Sequence, residues 1–271
     1  MDPLVVAAFL LTISLEIAIP LLLGFFIARR LKVSWRLFLL GLAFFLIVQV
    51  VHTPLVLLTQ GPLTRALQGF TSDPLVLLGV LALYLGIMAG LFEEIGRYLV
   101  FRYYFAREGT RNTRENALMF GAGWGGVESI IVGFLLSLTL VSYLYAATAL
   151  SAPGAVTNTA ETQFALLLQI TPVDVLFGLA ERLMTITLQI AFTLMVMYSV
   201  MRRTFAYLLL AIAWHAAVDA IAVYASQTIG IPATEGLIFL FFLAGLAFIF
   251  RIWPRMISEK PGEPPDPAST G

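Results

Sequence analysis

Glu93-Glu94-Ile95-Gly96-Arg97 packs two carboxylates and a guanidinium into five residues. Neighbouring carboxylates can divide labour, one taking a proton from water while the other binds or orients. An arginine three and four residues further on sits one helical turn away, with the glutamate on the favourable N-terminal side. His215 and Asp219 are four apart and share a helical face, so the carboxylate can orient the imidazole as an acid, a base or a ligand. Trp124 shares a face with Glu128, and Glu181 with Thr185 and Gln189. Glu181-Arg182 fits either a local ion pair or a link to Glu93 or Glu94. His52 lies beside Pro54, and Glu16 stands alone among apolar residues, where an arginine from another segment is its expected partner.

The elements that must position these groups are membrane spans. The chain has 271 residues, 60% of them apolar and only 12% charged. That charged share is about half of a soluble domain's. No soluble fold of this length hides so much apolar surface, whereas a helix bundle in lipid need not hide it. The fold class is therefore an all-α, polytopic transmembrane helix bundle. A span takes about 20 mostly apolar residues. Seven stretches qualify: 4–28, 34–58, 74–104, 115–140, 172–201, 204–225 and 234–253. The first follows Met1-Asp2-Pro3 with no basic region before it, which reads as a retained helix rather than a signal peptide. Sixteen lysines and arginines are present. All except Arg65 and the intramembrane Arg97 and Arg182 fall on one side, at the joins of spans one and two, three and four, five and six, and after span seven. The positive-inside rule then places the N-terminus outside and the C-terminus in the cytoplasm. The multi-pass pattern suits a prokaryotic plasma membrane.

Residues 151–171 read as an outer loop ending in a short apolar run, 164–170, that suits an interfacial helix. Residues 1–257 form one transmembrane domain, and 258–271, rich in proline and small polar residues, a disordered tail. Without cysteine, disulfides, thiolate metal sites and a cysteine nucleophile are excluded. With two histidines, His52 and His215, any metal must lean on carboxylates. Net charge is zero, and nothing points to nucleic acid.

At ~1.5 Å per helical residue, Glu93, Glu94, Arg97, Trp124, Glu128, Gln189 and His215 fall near one layer, with Asp219 one turn further out. Glu181, Arg182 and His52 lie nearer the outer side. A charge at the bilayer centre costs roughly 2.5–3.5 kcal/mol on insertion scales, so such residues are functional by default. Gly121, Gly123, Gly125 and Gly126 let a neighbouring helix, or a substrate backbone, come close.

These residues carry a resemblance. Gln49-Val50-Val51-His52-Thr53-Pro54, Gly90-Leu91-Phe92-Glu93-Glu94-Ile95-Gly96-Arg97-Tyr98, Gly121-Ala122-Gly123-Trp124-Gly125-Gly126-Val127-Glu128, Glu181-Arg182-Leu183 and His215 follow in the order seen in the YhfC family of membrane peptidases, which the chain resembles over nearly its whole length. That family is similar to the CAAX-prenyl protease and bacteriocin-processing group of intramembrane metalloproteases, and more distantly to the scaffold subunit of gamma-secretase. The resemblance implies a metal-dependent glutamate peptidase acting on a transmembrane or membrane-associated peptide, with membrane lipid as its surroundings. It implies Glu93, Glu94, Arg97 and His215 as catalytic residues. Glu94, Glu128, His215 and Asp219 are the candidate ligands of a divalent metal, zinc before others. His52, Trp124, Glu181, Arg182 and Gln189 support them.

Two positions depart from the pattern. The wider group's Phe-x-x-x-His reads Phe120-Gly-Ala-Gly-Trp124, and Gln189 stands where relatives usually carry a histidine. Indole cannot ligate a metal, and catalytic zinc normally holds three protein ligands plus water. Glu93 or Glu94, His215, and Asp219 or Glu128 would form an oxygen-rich set, which suits harder cations. In an active member, Glu93 would act as general base on water, His215 oriented by Asp219 would polarise the oxyanion, and a cavity open to the cytoplasm would admit the substrate. A catalytically silent pseudoprotease that binds a partner helix is the competing expectation, and a transporter the third. Against a transporter stands the lack of any visible repeat.

Overall fold

The computed structural model describes residues 2–149 and 158–258. Residues 150–157 of the outer loop, and the expected tail beyond Ser258, lie outside the described residues. The described chain is helical throughout: α1 (Pro3–Leu31), α2 (Trp35–Gln68), α3 (Pro74–Leu99), α4 (Phe105–Arg107), α5 (Arg114–Ala149), α6 (Asn158–Leu167), α7 (Pro172–Arg202), α8 (Ala206–Thr228) and α9 (Ile231–Ile252). A π-helical turn, Val100–Tyr104, joins α3 to α4 without a break. Seven of these helical stretches are long and apolar enough to cross a membrane. The protein is an integral, multi-pass membrane protein.

Three spans start with the same local chemistry. Asp2, Asp73 and Thr171 accept hydrogen bonds from the first free N–H groups of α1, α3 and α7, and a proline follows each cap. Such caps satisfy donors that have no intrahelical partner, and proline at the first position forfeits nothing. Two spans overrun their sequence-based ends: α2 continues to Gln68 through Pro54 and Pro62, and α5 to Ala149. Transmembrane helices tolerate prolines where neighbouring helices, Ser/Thr side chains or local adjustment of the turn satisfy the freed backbone groups. The short helix expected at 164–170 begins earlier, at Asn158, and ends at Leu167.

The bundle is built around α7, in which every residue from Leu188 to Val200 is buried. Elsewhere apolar side chains face outward: Leu22, Phe26, Leu58, Phe134 and Phe250 are all exposed, as lipid-facing residues are. Without a hydrophobic force between helices in lipid, association rests on close van der Waals packing of small residues. The α2–α5 crossing shows how close. A Cβ on Gly123 would strike the Phe38 carbonyl, and one on Gly41 would strike that of Phe120. Gly125 meets the Gln189 side chain, with its own Cβ position 2.8 Å from that residue's Cβ. The glycine run is thus filled by neighbouring helices.

Towards the arginine-rich end the bundle is closed by Phe101, Phe105, Met119 and Phe120, all fully buried. The rings of Phe101, Phe105 and Phe120 meet edge-on with centroids 5.0 to 6.0 Å apart.

Candidate functional site: a buried carboxylate–arginine centre

Adjacent residues on an α-helix point about 100° apart, so Glu93 and Glu94 address different neighbours. Glu93 faces α2, α5 and α7, while Glu94 faces α8. Arg97, one turn on, pairs with both: its guanidinium donates to Glu94 Oε1 and, at 3.3 Å, to Glu93 Oε2. All three residues are buried.

Four side chains donate to the Glu93 carboxylate. Trp124 Nε1 lies 2.9 Å from Oε2. Gln189 Nε2 lies 3.4 Å from the same oxygen. Gln49 Nε2 approaches Oε1 at 3.3 Å. Arg97 is the fourth. The Trp124 indole also lies under the Arg97 guanidinium, whose carbon is 4.4 Å from the ring centroid. Gln189 uses its amide from both ends, accepting from Arg97 through Oε1 and donating to Glu128 Oε2 at 2.8 Å. Glu128 also accepts from Arg182 Nη1 at 3.0 Å, and Arg182 holds Glu181 through its other nitrogen.

His215 departs from its expected geometry. Its Nδ1 is 2.6 Å from Glu94 Oε1, whereas Nε2 is 3.5 Å from Asp219 Oδ2. Glu94 therefore holds one nitrogen of the imidazole and Asp219 faces the other, against a stacked Phe192 ring 4.9 Å away. Arg182 does not link to Glu93 or Glu94; it is taken up by Glu128 and Glu181. His52 reaches the centre only through Gln49, its Nδ1 lying 3.1 Å from Gln49 Oε1. Because that amide oxygen only accepts, Nδ1 carries the proton and the buried Nε2 is left as an acceptor without a partner. Glu16 has no ion pair among the described residues, contrary to expectation: its Oε2 is buried without a partner, and its backbone carbonyl accepts from Ser129.

Gln49 is the member that sequence reasoning quoted within a motif but gave no role. Its position within a span, three residues before His52, was the available signal. An amide is rarely weighed beside charges, yet this one joins His52, Thr53 and Glu93.

A small polar cavity of about 90 Å³ touches Glu93, Glu128, Gln189, His215 and Asp219. It borders two larger ones. One, about 330 Å³, runs between α2, α3 and α8 past His52 and shares Asp219 and Ala222 with it. The other, about 350 Å³, lies among α7, α8 and α9 and shares Glu181, Ala222 and Ile238. Both lie toward the end of the bundle where α7 starts. The aromatic seal lies at the other end. The cavity therefore opens away from the arginine-rich side, not toward it as expected, because large rings of α4 and α5 fill the space below Trp124.

A metal would need lone pairs from at least three side chains at ~2.0–2.3 Å. Two of the expected ligands already accept hydrogen bonds. Glu94 Oε1 takes Arg97 and His215. Glu128 takes Arg182 and Gln189. Among the described residues no three His, Asp or Glu side chains converge as a ligand set. Around Glu93 the neighbours present N–H groups, which compete with a cation for the carboxylate, and neither the Trp124 indole nor the Arg97 guanidinium can coordinate one. Among the oxygens of the expected ligands, Glu94 Oε2 is the one that is buried without a partner. As placed, the described side chains form no three-ligand set for a catalytic metal.

The fold and site are those of a polytopic membrane helix bundle with a buried Glu-Glu-Arg centre facing His215-x-x-x-Asp219. The family model of the YhfC intramembrane metalloprotease matches residues 15–238, so the chain belongs to that family. The uncharacterized membrane protein YhfC of Bacillus subtilis (strain 168) is similar to it, 36% identical over 135 residues, which is 48% of this chain and 51% of that protein. The chain thus matches about half the length of that curated relative. No solved structure matches.

Proposed function

We propose that this chain uses the fold of an intramembrane protease to hold a transmembrane or membrane-associated peptide, without metal-dependent hydrolysis. One observation carries the reading. Trp124 and Gln189, at the two departing positions, both donate to Glu93, so hydrogen bonds satisfy the carboxylate where ligands would otherwise gather. The cavities beside Asp219 provide the space for a bound segment. On this reading Glu93, Glu94, Arg97 and His215 are a structural core, and the arginine-rich ends face the cytoplasm.

A second reading is an active metal-dependent endopeptidase. The unpartnered Glu94 Oε2, beside His215, favours it. Elemental analysis of the purified chain, with and without added zinc, separates the two. The first reading expects less than one metal per chain and no cleavage of membrane-embedded peptides. Stoichiometric zinc, with cleavage lost in Glu93→Gln and Glu94→Gln, would establish the second. The double variant Trp124→His/Gln189→His should gain zinc binding, because it replaces an N–H donor and an amide with imidazoles.

A further inference from the structure

The outer cavity among α7, α8 and α9, about 350 Å³, is walled by Asp174, Glu181, Ser226, Thr234 and Glu235, with no lysine, arginine or histidine among its lining residues. Its polar side chains differ in how they are partnered. Asp174 Oδ2 takes the N–H and hydroxyl of Thr171 at the start of α7. Glu181 is held by Arg182. The Ser226 and Thr234 hydroxyls donate to the carbonyls of Val223 and Gly230, which leaves their oxygens as acceptors. Glu235 sets its carboxyl against that of Glu181. It is only 8% exposed, it lines the cavity, and its Oε2 meets no donor.

A carboxylate oxygen left unpaired away from water costs several kcal/mol unless something donates to it. The nearby cation cannot, since Arg182 is already committed to Glu128 and Glu181. What the wall presents is therefore a set of acceptors that call for a donor carrying positive charge. A bare dication is a poor match, because no three carboxylates converge there. The volume points the same way, lying in the range of small-ligand pockets rather than of single ions. An alkylammonium supplies three donors and one charge on an apolar stem, and Ala222, Val223, Ile231 and Ile238 line the walls that such a stem would meet.

We propose that this cavity binds a primary ammonium group, with Glu235 as its counter-charge. Its source is a lysine side chain of the peptide segment that the chain holds. The identity of that source rests on the peptide-binding reading above; the ammonium site itself does not.

The test uses the full chain in lipid nanodiscs with two probes. One is cadaverine, a free diamine. The other is a leucine-rich transmembrane peptide with one lysine near the end that lies on the α7 N-terminal side, compared with the same peptide carrying glutamine. Cadaverine should raise the melting temperature, and the lysine peptide should bind roughly tenfold or more tightly than the glutamine peptide, as a desolvated charge pair allows. Glu235→Gln removes both effects without creating an unpaired charge. Ser226→Lys, which tethers an ammonium at the cavity wall, should raise the melting temperature and abolish the cadaverine response. A cadaverine response lost in Glu235→Gln, with no preference between the peptides, would uphold the ammonium site and refute the peptide as its source. No response to cadaverine and equal binding of both peptides would overturn the inference, while tight binding of both peptides would leave the peptide-binding reading standing.

Discussion

Trp124→Phe isolates the contact on which the reading of the centre depends. The substitution keeps an aromatic ring between Phe45 and Phe120, whose centroids lie 5.7 and 5.8 Å from that of Trp124. It also keeps a π face near Arg97. What it removes is the Nε1–H that donates to Glu93 at 2.9 Å. Interhelical hydrogen bonds in membranes average about 0.6 kcal/mol and reach about 1.7. Here the acceptor is a buried carboxylate, and hydrogen bonds to charged groups are worth about 1.5–3 kcal/mol. The overlap of these ranges gives a loss of roughly 1.5–1.7 kcal/mol, partly offset because Gln49, Gln189 and Arg97 still donate. Unfolding equilibria in mixed micelles, measured for wild type, Trp124→Phe, Glu93→Met and the double variant, would give the coupling energy directly. The expected coupling is about 1 kcal/mol or more, because the two substitutions remove the same contact. A Trp124→Phe loss below about 0.5 kcal/mol, the size of an ordinary neutral surface change, or a coupling near zero, would refute the claim that Trp124 satisfies Glu93.

Three further outcomes are expected. Arg97→Lys should destabilise by about 3–5 kcal/mol, read as lost expression and lost monodispersity, because one ammonium cannot span Glu93, Glu94 and Gln189 and a buried carboxylate is left uncompensated. Gly123→Val should separate α2 from α5, since its Cβ meets the Phe38 backbone, and should cost at least the 1–3 kcal/mol typical of overpacking in a thermal-stability assay. The chain has no cysteine, so single cysteines report topology cleanly: Gly69→Cys should react with an impermeant maleimide on intact cells, and Gly109→Cys only after permeabilisation. The reverse pattern would invert the orientation.

Much of the fold was legible because membrane burial is written locally. Each span is a run of apolar residues, and the caps Asp2-Pro3, Asp73-Pro74 and Thr171-Pro172 mark three of the starts. The unusual cost of charge in hydrocarbon singled out Glu93, Glu94 and Arg97. Helical periodicity likewise set the Glu93–Arg97 pair, whose partners lie on one helix. Other predictions failed where the partner lies on a different helix. The local His215–Asp219 spacing does place Asp219 3.5 Å from Nε2, but it could not show the closer contact of Nδ1 with Glu94 of α3. Glu16 was expected to find an arginine, but no ion pair forms among the described residues. The cavity faces the other end of the bundle because of where aromatic rings of α4 and α5 settle.

The sequence alone thus determined that this protein lives in a membrane, that it is helical, that its basic residues gather at one side, and that its charged centre belongs to the YhfC pattern with two histidines replaced. Tertiary structure decided what the replacements do. Trp124 and Gln189 could have left Glu93 exposed to a metal or a water; instead they donate to it and link it to Arg97 and Glu128. Spacing along a chain fixes angle and rise on one helix. The meeting of an indole N–H with a carboxylate on another helix depends on the rotation and separation of both, which close glycine contacts such as Gly123 against Phe38 set across the bundle.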